Sequence, residues 1–203
     1  MDNRFFISIL IVILLLLIIN TSCQKDKTPP VYDTFTDSRD GEIYKYVKIG
    51  NQLWMSENLR FKPDSGNYWA YNYDTIVNPY GYLYDWETAN NVCPNGWHLP
   101  SNAEWTELAN NLGGFSVAGG KMKTPGTSWN PPNEDATNSS GFSALPCGTY
   151  EGNGIFFGRG NSTHFWSSEV RLNIWWLSTV DGSLHHTFID MHHESASVRC
   201  VMD

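Results

Sequence analysis

Apolar residues recur with the period of a helix in the middle of the chain. The spacing i, i+3, i+4 and i+7 is met by four of them: Trp105, Leu108, Ala109 and Leu112. Ser101 and Glu104 precede the run as an S-x-x-E capping box, which satisfies free backbone N–H groups at a helix start. Gly113-Gly114 follows the run and stops it. The pattern therefore predicts a helix from about Ser101 to Leu112.

The same spacing occurs once more, directly upstream. It is met by four residues: Trp86, Ala89, Asn90 and Cys93. Pro94 and Gly96 then interrupt it. The stretch from Trp86 to Leu112 is therefore predicted to be two helices joined by a tight connector.

β-Branched and aromatic residues predict strands on both sides of this helical stretch. Ile43 to Ile49 and Gln52 to Met55 flank the turn signal Gly50-Asn51, which predicts a β-hairpin. Asp181-Gly182 is a second hairpin signal. Further short strands are predicted over residues 142–145, 164–168, 174–180, 184–191 and 197–201.

Two long segments lack a sustained period. Residues 62–80 are rich in turn formers and tyrosines, and we expect an ordered aromatic loop there. Residues 113–141 hold many of the Gly, Pro, Ser and Asn residues. A connection this long with so little periodicity is more often a functional loop than a passive one, or else it is partly disordered.

Residues 1–22 have the character of a secretory signal. Residues 5–19 are almost entirely apolar, which is shorter than the roughly 20 residues that a membrane-spanning helix needs. Thr21-Ser22 leads straight into Cys23, an arrangement that resembles the lipobox of bacterial lipoproteins, whose cysteine becomes lipidated. Asn20 departs from that pattern, so an uncleaved signal anchor is the alternative.

The rest of the chain is predicted to be a tether and one domain. Residues 23–32 contain a Pro-Pro pair and polar residues that cannot build a core, and residues 33–203 form the domain. With Cys23 lipidated, the protein would attach to the bacterial outer membrane through its acyl chains, on the periplasmic or the outer face.

Composition excludes two classes of protein. Aromatic residues make up 14% of the chain and charged residues only 17%, which argues against a disordered polar protein. The formal net charge is −8, and the 13 Lys and Arg residues are scattered, so a nucleic acid would be repelled.

Several segments together resemble the Fibrobacter succinogenes major paralogous domain, a family common in lipoproteins of Bacteroidetes-type bacteria. The segments that carry the resemblance are DGEIYKYVKIGNQLWMSENL (40–59), YGYLYDW (80–86), CPNGWHLPSNAEW (93–105), GGK (119–121), GFSALP (141–146), FWSS (165–168) and SVRCV (197–201). They occur in the family's order and cover nearly all of the predicted domain.

This resemblance implies a fold, because the family is similar to C-type-lectin-like domains. The lectin-like helix pattern appears here as Trp86, Ala89, Cys93, Gly96, Leu99, Ser101 and Glu104. The implied fold class is α+β, with two helices flanking small antiparallel sheets and a long irregular loop region. The resemblance also implies a disulfide between Cys93 and Cys200; two buried free thiols are the alternative.

The family is similar as well to formylglycine-generating enzymes, through the segment HLPSNAEW. Their chemistry needs two closely spaced cysteines near the C-terminus that hold copper, and only Cys200 lies in that region. Cys147, between Pro146 and Gly148, is interpreted as an incidental thiol because no neighbouring base marks it as a nucleophile. We therefore expect no catalytic residue and no enzymatic activity.

Metal sites are not predicted. Four histidines, His185, His186, His192 and His193, straddle one predicted strand, but strand alternation sends each adjacent pair to opposite faces. The sugar-binding calcium motifs of lectins are absent. Asn133-Glu134-Asp135 does supply the oxygen ligands that Ca²⁺ prefers, although a solvated acidic turn explains these residues equally well.

Aromatic loop residues are the best candidates for ligand contact. Trp69 and Trp129 are expected to be exposed because both lie in loops. The side chains of Asn133, Glu134 and Asp135 are expected to orient the ligand. We therefore expect a non-catalytic module that binds an extracellular glycan or protein through the long loop. The alternatives are a divergent metal-dependent enzyme and a purely structural surface protein.

Overall fold

A computed structural model describes residues 29–75, 77–169, 173–188 and 194–203 of the chain. The predicted signal, the predicted lipidation site Cys23 and the first part of the tether lie outside these residues. None of the helices that the structure describes is both long and apolar enough to cross a membrane.

The described part of the chain combines short helices with many short strands. The helices are α1 (Trp86–Ala89), α2 (Asn102–Asn111), α3 (Phe115–Met122) and a 3₁₀ turn at Tyr71–Tyr73. The strands are β1 (Asp33–Thr36), β2 (Ile43–Ile49), β3 (Gln52–Met55), β4 (Tyr68–Trp69), β5 (Leu83–Tyr84), β6 (Trp97–His98), β7 (Thr149–Tyr150), β8 (Phe156–Phe157), β9 (Ser162–Trp166), β10 (Asn173–Ser178), β11 (His185–Phe188), β12 (Ala196–Ser197) and β13 (Val201–Met202). The predicted α+β class is confirmed.

The strands form two main sheets and one isolated hairpin. The five-stranded sheet has the order β1-β2-β3-β13-β6, the six-stranded sheet has the order β11-β10-β9-β12-β5-β4, and β7 pairs with β8. The predicted hairpin of β2 and β3 is confirmed, with Ile49 opposite Gln52. Strand β12 is an interior strand of the six-stranded sheet, and β13 is an interior strand of the five-stranded sheet. Residues 198–200 connect these two strands and therefore join the sheets.

Helix α2 matches its predicted capping box. Ser101 Oγ accepts from Glu104 N–H at 3.2 Å, and Glu104 Oε2 accepts from Ser101 N–H at 2.8 Å. Helix α1 is shorter than predicted and ends at Ala89, where two asparagines follow. Asparagine side chains compete for backbone hydrogen bonds, and Asn91 Nδ2 caps the Glu87 carbonyl.

The disulfide between Cys93 and Cys200 is present, with the two Cα atoms 6.0 Å apart. It links the segment after α1 to the residue before β13 and spans 107 positions of sequence. Both main sheets contribute residues to the cluster of buried apolar side chains around Cys200. The bond therefore ties the helical end of the domain to the segment that enters both sheets.

Other predicted elements also differ from the structure. Residues 142–145 make only one bridge, between Ala144 and Lys123, instead of a strand. The segment predicted as loop contains α3, whose Gly119-Gly120 pair lowers helix propensity but permits close packing. The β10–β11 connection is longer than a two-residue turn, because pairing ends at Trp176 opposite His185 and the carbonyls of Ser178 and Asp181 bind Lys123 instead.

Candidate functional site

Five aromatic side chains from four elements meet at one edge of the six-stranded sheet. We call them the aromatic patch: Trp69, Tyr71, Tyr73, Tyr150 and Phe156. Trp69 stacks on Tyr150 with ring centroids 4.5 Å apart, and Tyr150 lies 4.8 Å from Phe156. Phe156 also contacts Tyr71 at 5.1 Å and Tyr73 at 5.2 Å. Each ring is therefore oriented by another.

The backbone presents part of this patch to solvent. Tyr73 is 63% exposed, and it has a left-handed backbone with φ of 57°. A positive φ is uncommon for a bulky residue, and such conformations cluster at functional sites. On the facing hairpin, residues 151–155 turn through Gly152, Asn153 and Gly154, all with positive φ, which leaves Ile155 and the β8 residue Phe157 more than half exposed.

Charged side chains adjoin the aromatic rings. The Arg159 guanidinium lies 4.3 Å from the Tyr80 ring centroid and 5.3 Å from that of Tyr71. Its Nη1 is 3.9 Å from Asp74 Oδ2. These groups border a small recess that encloses about 10 Å³, barely enough for one water molecule. A ligand larger than water would therefore lie across the patch rather than enter it.

Cys147 also lines this recess. Asn58 Nδ2 donates to its Sγ at 2.9 Å, and the thiol donates to the Leu145 carbonyl at 3.2 Å. Burial raises the pKa of the Cys147 thiol, which keeps it protonated at neutral pH. A protonated, hydrogen-bonded thiol is a poor nucleophile.

Trp129 does not contribute to an exposed surface, and the prediction that it would do so is wrong. Its side chain is 2% exposed and lies in the main apolar core, where Nε1 donates to the Ala144 carbonyl at 3.1 Å. A loop residue can be buried when neighbouring elements supply a partner for its polar atom. Trp69, by contrast, is partly exposed and belongs to the aromatic patch.

The predicted ligand residues Asn133, Glu134 and Asp135 pack against the β10–β11 connection. Asn133 N–H donates to Thr179 Oγ1 at 3.1 Å, and Glu134 N–H donates to the Thr179 carbonyl at 2.9 Å. The buried Lys123 ammonium lies 5.5 Å from the Trp129 ring centroid and interacts electrostatically with Glu134 and Asp135. These residues therefore share an environment with Trp129 and not with Trp69.

The histidines alternate as strand geometry predicts. His185 stacks on Trp176 at 3.9 Å and its Nε2 lies 2.9 Å from Asp181 Oδ1. His186 stacks on Trp175 at 4.4 Å instead. His192 and His193 lie outside the described residues. Among the residues described, no group of three or more His, Cys, Asp or Glu side chains is arranged to hold a metal ion.

Sequence analysis missed Tyr150, Phe156 and Arg159. The signal that would have found the first two is the segment TYEGNGIFFG at 149–158, in which turn formers separate two short runs rich in β-forming residues. Arg159 carries no comparable signal, because its stacking on Tyr71 and Tyr80 depends on the tertiary structure.

Comparison with known proteins gives one match. The model of the family described as the Fibrobacter succinogenes major domain matches residues 47–202. No curated protein and no solved structure matches the chain. The matched region includes α1–α3, every residue of the aromatic patch and the disulfide.

Proposed function

The chain belongs to the Fibrobacter succinogenes major domain family, and on that premise we propose that it is a lipid-anchored, non-catalytic module that binds an extracellular glycan. The fold that we propose is C-type-lectin-like. It is supported by α1 and α2 beside antiparallel sheets, and by the disulfide from the end of the first helical segment to the last strands.

The observation that carries the proposal is the partly exposed aromatic patch. Aromatic faces pack against the C–H faces of sugar rings, and a few polar groups then set the orientation of the ligand. Trp69, Tyr71 and Tyr73 supply the aromatic surface, while Arg159 and Asp74 supply polar groups beside it. A surface without a deep cavity suits a chain-like ligand that lies across it. A protein ligand is the alternative.

The proposed location rests on the export signal and on Cys23. An acyl chain stabilises membrane attachment by about 0.8 kcal/mol per buried CH₂, so a cysteine with several chains would hold the domain firmly. The disulfide suits an exported protein, since such bonds persist in oxidising compartments. Outer-membrane attachment, on the periplasmic or the outer face, is part of the proposal.

A glycan array and affinity electrophoresis in neutral and acidic polysaccharides test the proposal, with protein lacking residues 1–22. We expect binding, and we expect Tyr73→Ala to weaken it by about tenfold or more, the usual cost of losing a central aromatic contact. Phe188→Ala is the matched control, because Phe188 is an exposed aromatic residue, 72% exposed, on β11 and outside the patch.

Three results would contradict the proposal. Absence of retention by every polysaccharide, together with capture of one stoichiometric protein partner, would favour protein recognition. A stoichiometric transition metal in purified protein would favour the enzyme alternative instead. Equal weakening by Tyr73→Ala and Phe188→Ala would show that binding does not use the patch.

A further inference from the structure

Arg159 lies in a tight turn between β8 and β9, beside the aromatic patch. Gly158 and Gly160 flank it with φ angles of 82° and 86°. Gly160 N–H donates to the Pro146 carbonyl at 3.0 Å, and a Cβ on Gly148 would lie 2.7 Å from Arg159 N. The left-handed backbone on both sides and the close contact with residues 146–148 therefore fix the point from which the arginine side chain extends.

Two aromatic rings restrict the guanidinium itself. Its carbon Cζ lies 4.3 Å from the Tyr80 ring centroid and 5.3 Å from that of Tyr71, within the range of cation–π contacts. Tyr71 also belongs to the aromatic patch, where its ring centroid lies 5.1 Å from that of Phe156. The charge is therefore held at the border of the patch, and it loses little further freedom when it binds a ligand.

The guanidinium has donors that the protein does not use. It donates no hydrogen bond to any residue that the structure describes, and Asp74 Oδ2, the carboxylate oxygen that pairs with it, is 3.9 Å from Nη1. A direct N–H···O hydrogen bond spans about 2.7–3.2 Å, so this ion pair is a loose one. The Arg159 side chain is 33% exposed. Its N–H groups are therefore accessible to a ligand.

The other arginines in the described part of the chain are bound within the protein. Arg39, Arg60 and Arg199 each donate at least two hydrogen bonds to carboxylate, amide or backbone oxygens of the chain itself. Internal hydrogen bonding, which accounts for these three side chains, does not account for Arg159.

We infer that Arg159 determines the specificity of the patch by selecting a glycan that carries a uronic acid; the inference rests on the glycan proposal. A carboxylate is planar, and its two oxygens match two parallel N–H groups of a guanidinium. The carboxylate of the uronic acid pairs with Arg159 while a neighbouring sugar ring packs on Tyr71 and Tyr73. Asp74 faces the same guanidinium, so its charge opposes the ligand carboxylate and limits the affinity.

The acidic sugars of this glycan are widely spaced. The protein has a formal net charge of −8, which repels a polymer with closely spaced negative charges. At physiological ionic strength exposed charges act over about 8 Å, so distant charges of the protein are screened while a carboxylate in contact with Arg159 is attracted. A neutral backbone with isolated uronic acids, as in glucuronoxylan, meets both conditions.

Affinity electrophoresis in glucuronoxylan tests the inference, and the same polymer after reduction of its carboxyl groups to alcohols is the matched ligand. Wild-type protein should bind the native polymer about tenfold more tightly, as expected for a charge-assisted pair. Arg159→Gln should bind both polymers equally, at the level of wild-type protein on the reduced polymer. Arg159→Lys should keep only part of the preference, because an ammonium lacks the two parallel N–H donors.

Three further variants separate direct contact from general charge. Asp74→Asn should strengthen binding of the native polymer and leave binding of the reduced polymer unchanged. Lys48→Gln is the matched control, because Lys48 is an exposed cation on β2 outside the patch. It removes the same charge and should keep the tenfold preference. Tyr73→Ala should weaken binding of both polymers, since it removes an aromatic contact.

Three results would overturn the inference. The first is equal binding of the native and the reduced polymer by wild-type protein, a measurement that needs no variant and decides if the Arg159 variants fail to fold. The second is an Arg159→Gln variant that keeps the preference. The third is equal loss of the preference in Lys48→Gln and Arg159→Gln, which would show a response to net charge.

Failure of this inference is distinguishable from failure of the glycan proposal. Retention by neutral polysaccharides alone, or retention without preference for the native polymer, contradicts the role of Arg159 and leaves the glycan proposal intact. No retention by any polysaccharide contradicts both.

Discussion

The loop at residues 123–135 and the segments that carry the aromatic patch both contain irregular backbone. Their side chains, however, have different surroundings. In the loop, Trp129 is buried and donates to a carbonyl, and Lys123 binds two further carbonyls. In the patch, Tyr73 is 63% exposed, and its ring centroid lies 5.2 Å from that of Phe156. The first region has the character of core, whereas the second leaves aromatic surface exposed.

The comparison teaches that irregular backbone is not by itself a binding surface. Whether an irregular segment can serve as a binding surface depends on its side chains. Those that already donate to the chain's own carbonyls or pack in its core are not free to contact a ligand. A loop whose polar and aromatic groups are satisfied internally belongs to the scaffold, even if its sequence is rich in Gly, Pro and Asn. Four substitutions probe these regions and the scaffold around them through the free energy of unfolding, from the largest expected effect to the smallest.

Trp129→Ala should show that the loop belongs to the core. Removing a fully buried indole costs about 3–5 kcal/mol through lost burial and the cavity left behind. Urea unfolding monitored by far-UV circular dichroism measures the change, and glycan binding by the remaining folded protein should keep its affinity. A loss below about 1 kcal/mol would place Trp129 with exposed loop residues and would remove the contrast.

Cys93→Ser should weaken the scaffold on which both regions rest. Loss of a native disulfide typically costs about 2–5 kcal/mol, and this one spans 107 residues. Unfolding under oxidising and reducing conditions measures the effect, with reducing agent expected to lower wild-type stability but not that of Cys93→Ser. Cys147→Ala should retain the redox dependence, because its thiol is free; loss of that dependence in Cys147→Ala would implicate another pairing.

His98 gives a pH-dependent contribution away from both regions. Burial acts to lower its pKa, but the carboxylates of Asp203 and Glu104, each 2.7 Å from a ring nitrogen, raise it overall. Burial likewise acts to raise the pKa of Glu104, and hydrogen bonds from Ser101 and the contact with His98 lower it overall.

The two shifts define a pH window. Because the pKa of His98 is raised on folding, its stabilising contribution is fully present below the unfolded pKa of about 6.5. That contribution is lost as the pH rises through the folded pKa. Because the pKa of Glu104 is lowered on folding, its stabilising contribution is fully present above the unfolded pKa of about 4.5. That contribution is lost as the pH falls through the folded pKa. His98→Gln should therefore lose most stability between these values, by at most about 1 kcal/mol because the pair is partly exposed. A difference largest at pH 9 would contradict this assignment.

Glu134→Gln should have the smallest effect. Its side chain is exposed, so the free energy of unfolding should change by less than about 0.5 kcal/mol. Glycan affinity should also stay within twofold of wild type, in contrast to Tyr73→Ala. A Glu134→Gln variant that loses binding would move the ligand contact back to the loop and reverse the comparison.

Local signals predicted the elements that short-range chemistry determines. The capping box of Ser101 and Glu104 and the Gly50-Asn51 turn act within a few residues, so α2 and the first hairpin follow from short-range chemistry. Trp129 was misplaced because its burial depends on the distant Ala144 carbonyl and on the core around α3. The sequence did not predict helix α3, because the Gly119-Gly120 pair lowers helix propensity. These glycines allow close contact with segments that are distant in sequence.

The order in which the strands meet has a consequence for biogenesis. Strand β12 lies between β9 and β5, and β13 lies between β3 and β6, so residues 196–202 supply an interior strand to each main sheet. Neither sheet can close before that segment arrives. The newly made chain therefore completes its sheets only by pairing residues far apart in sequence, such as Val201 with Trp54, and such non-local pairing slows folding.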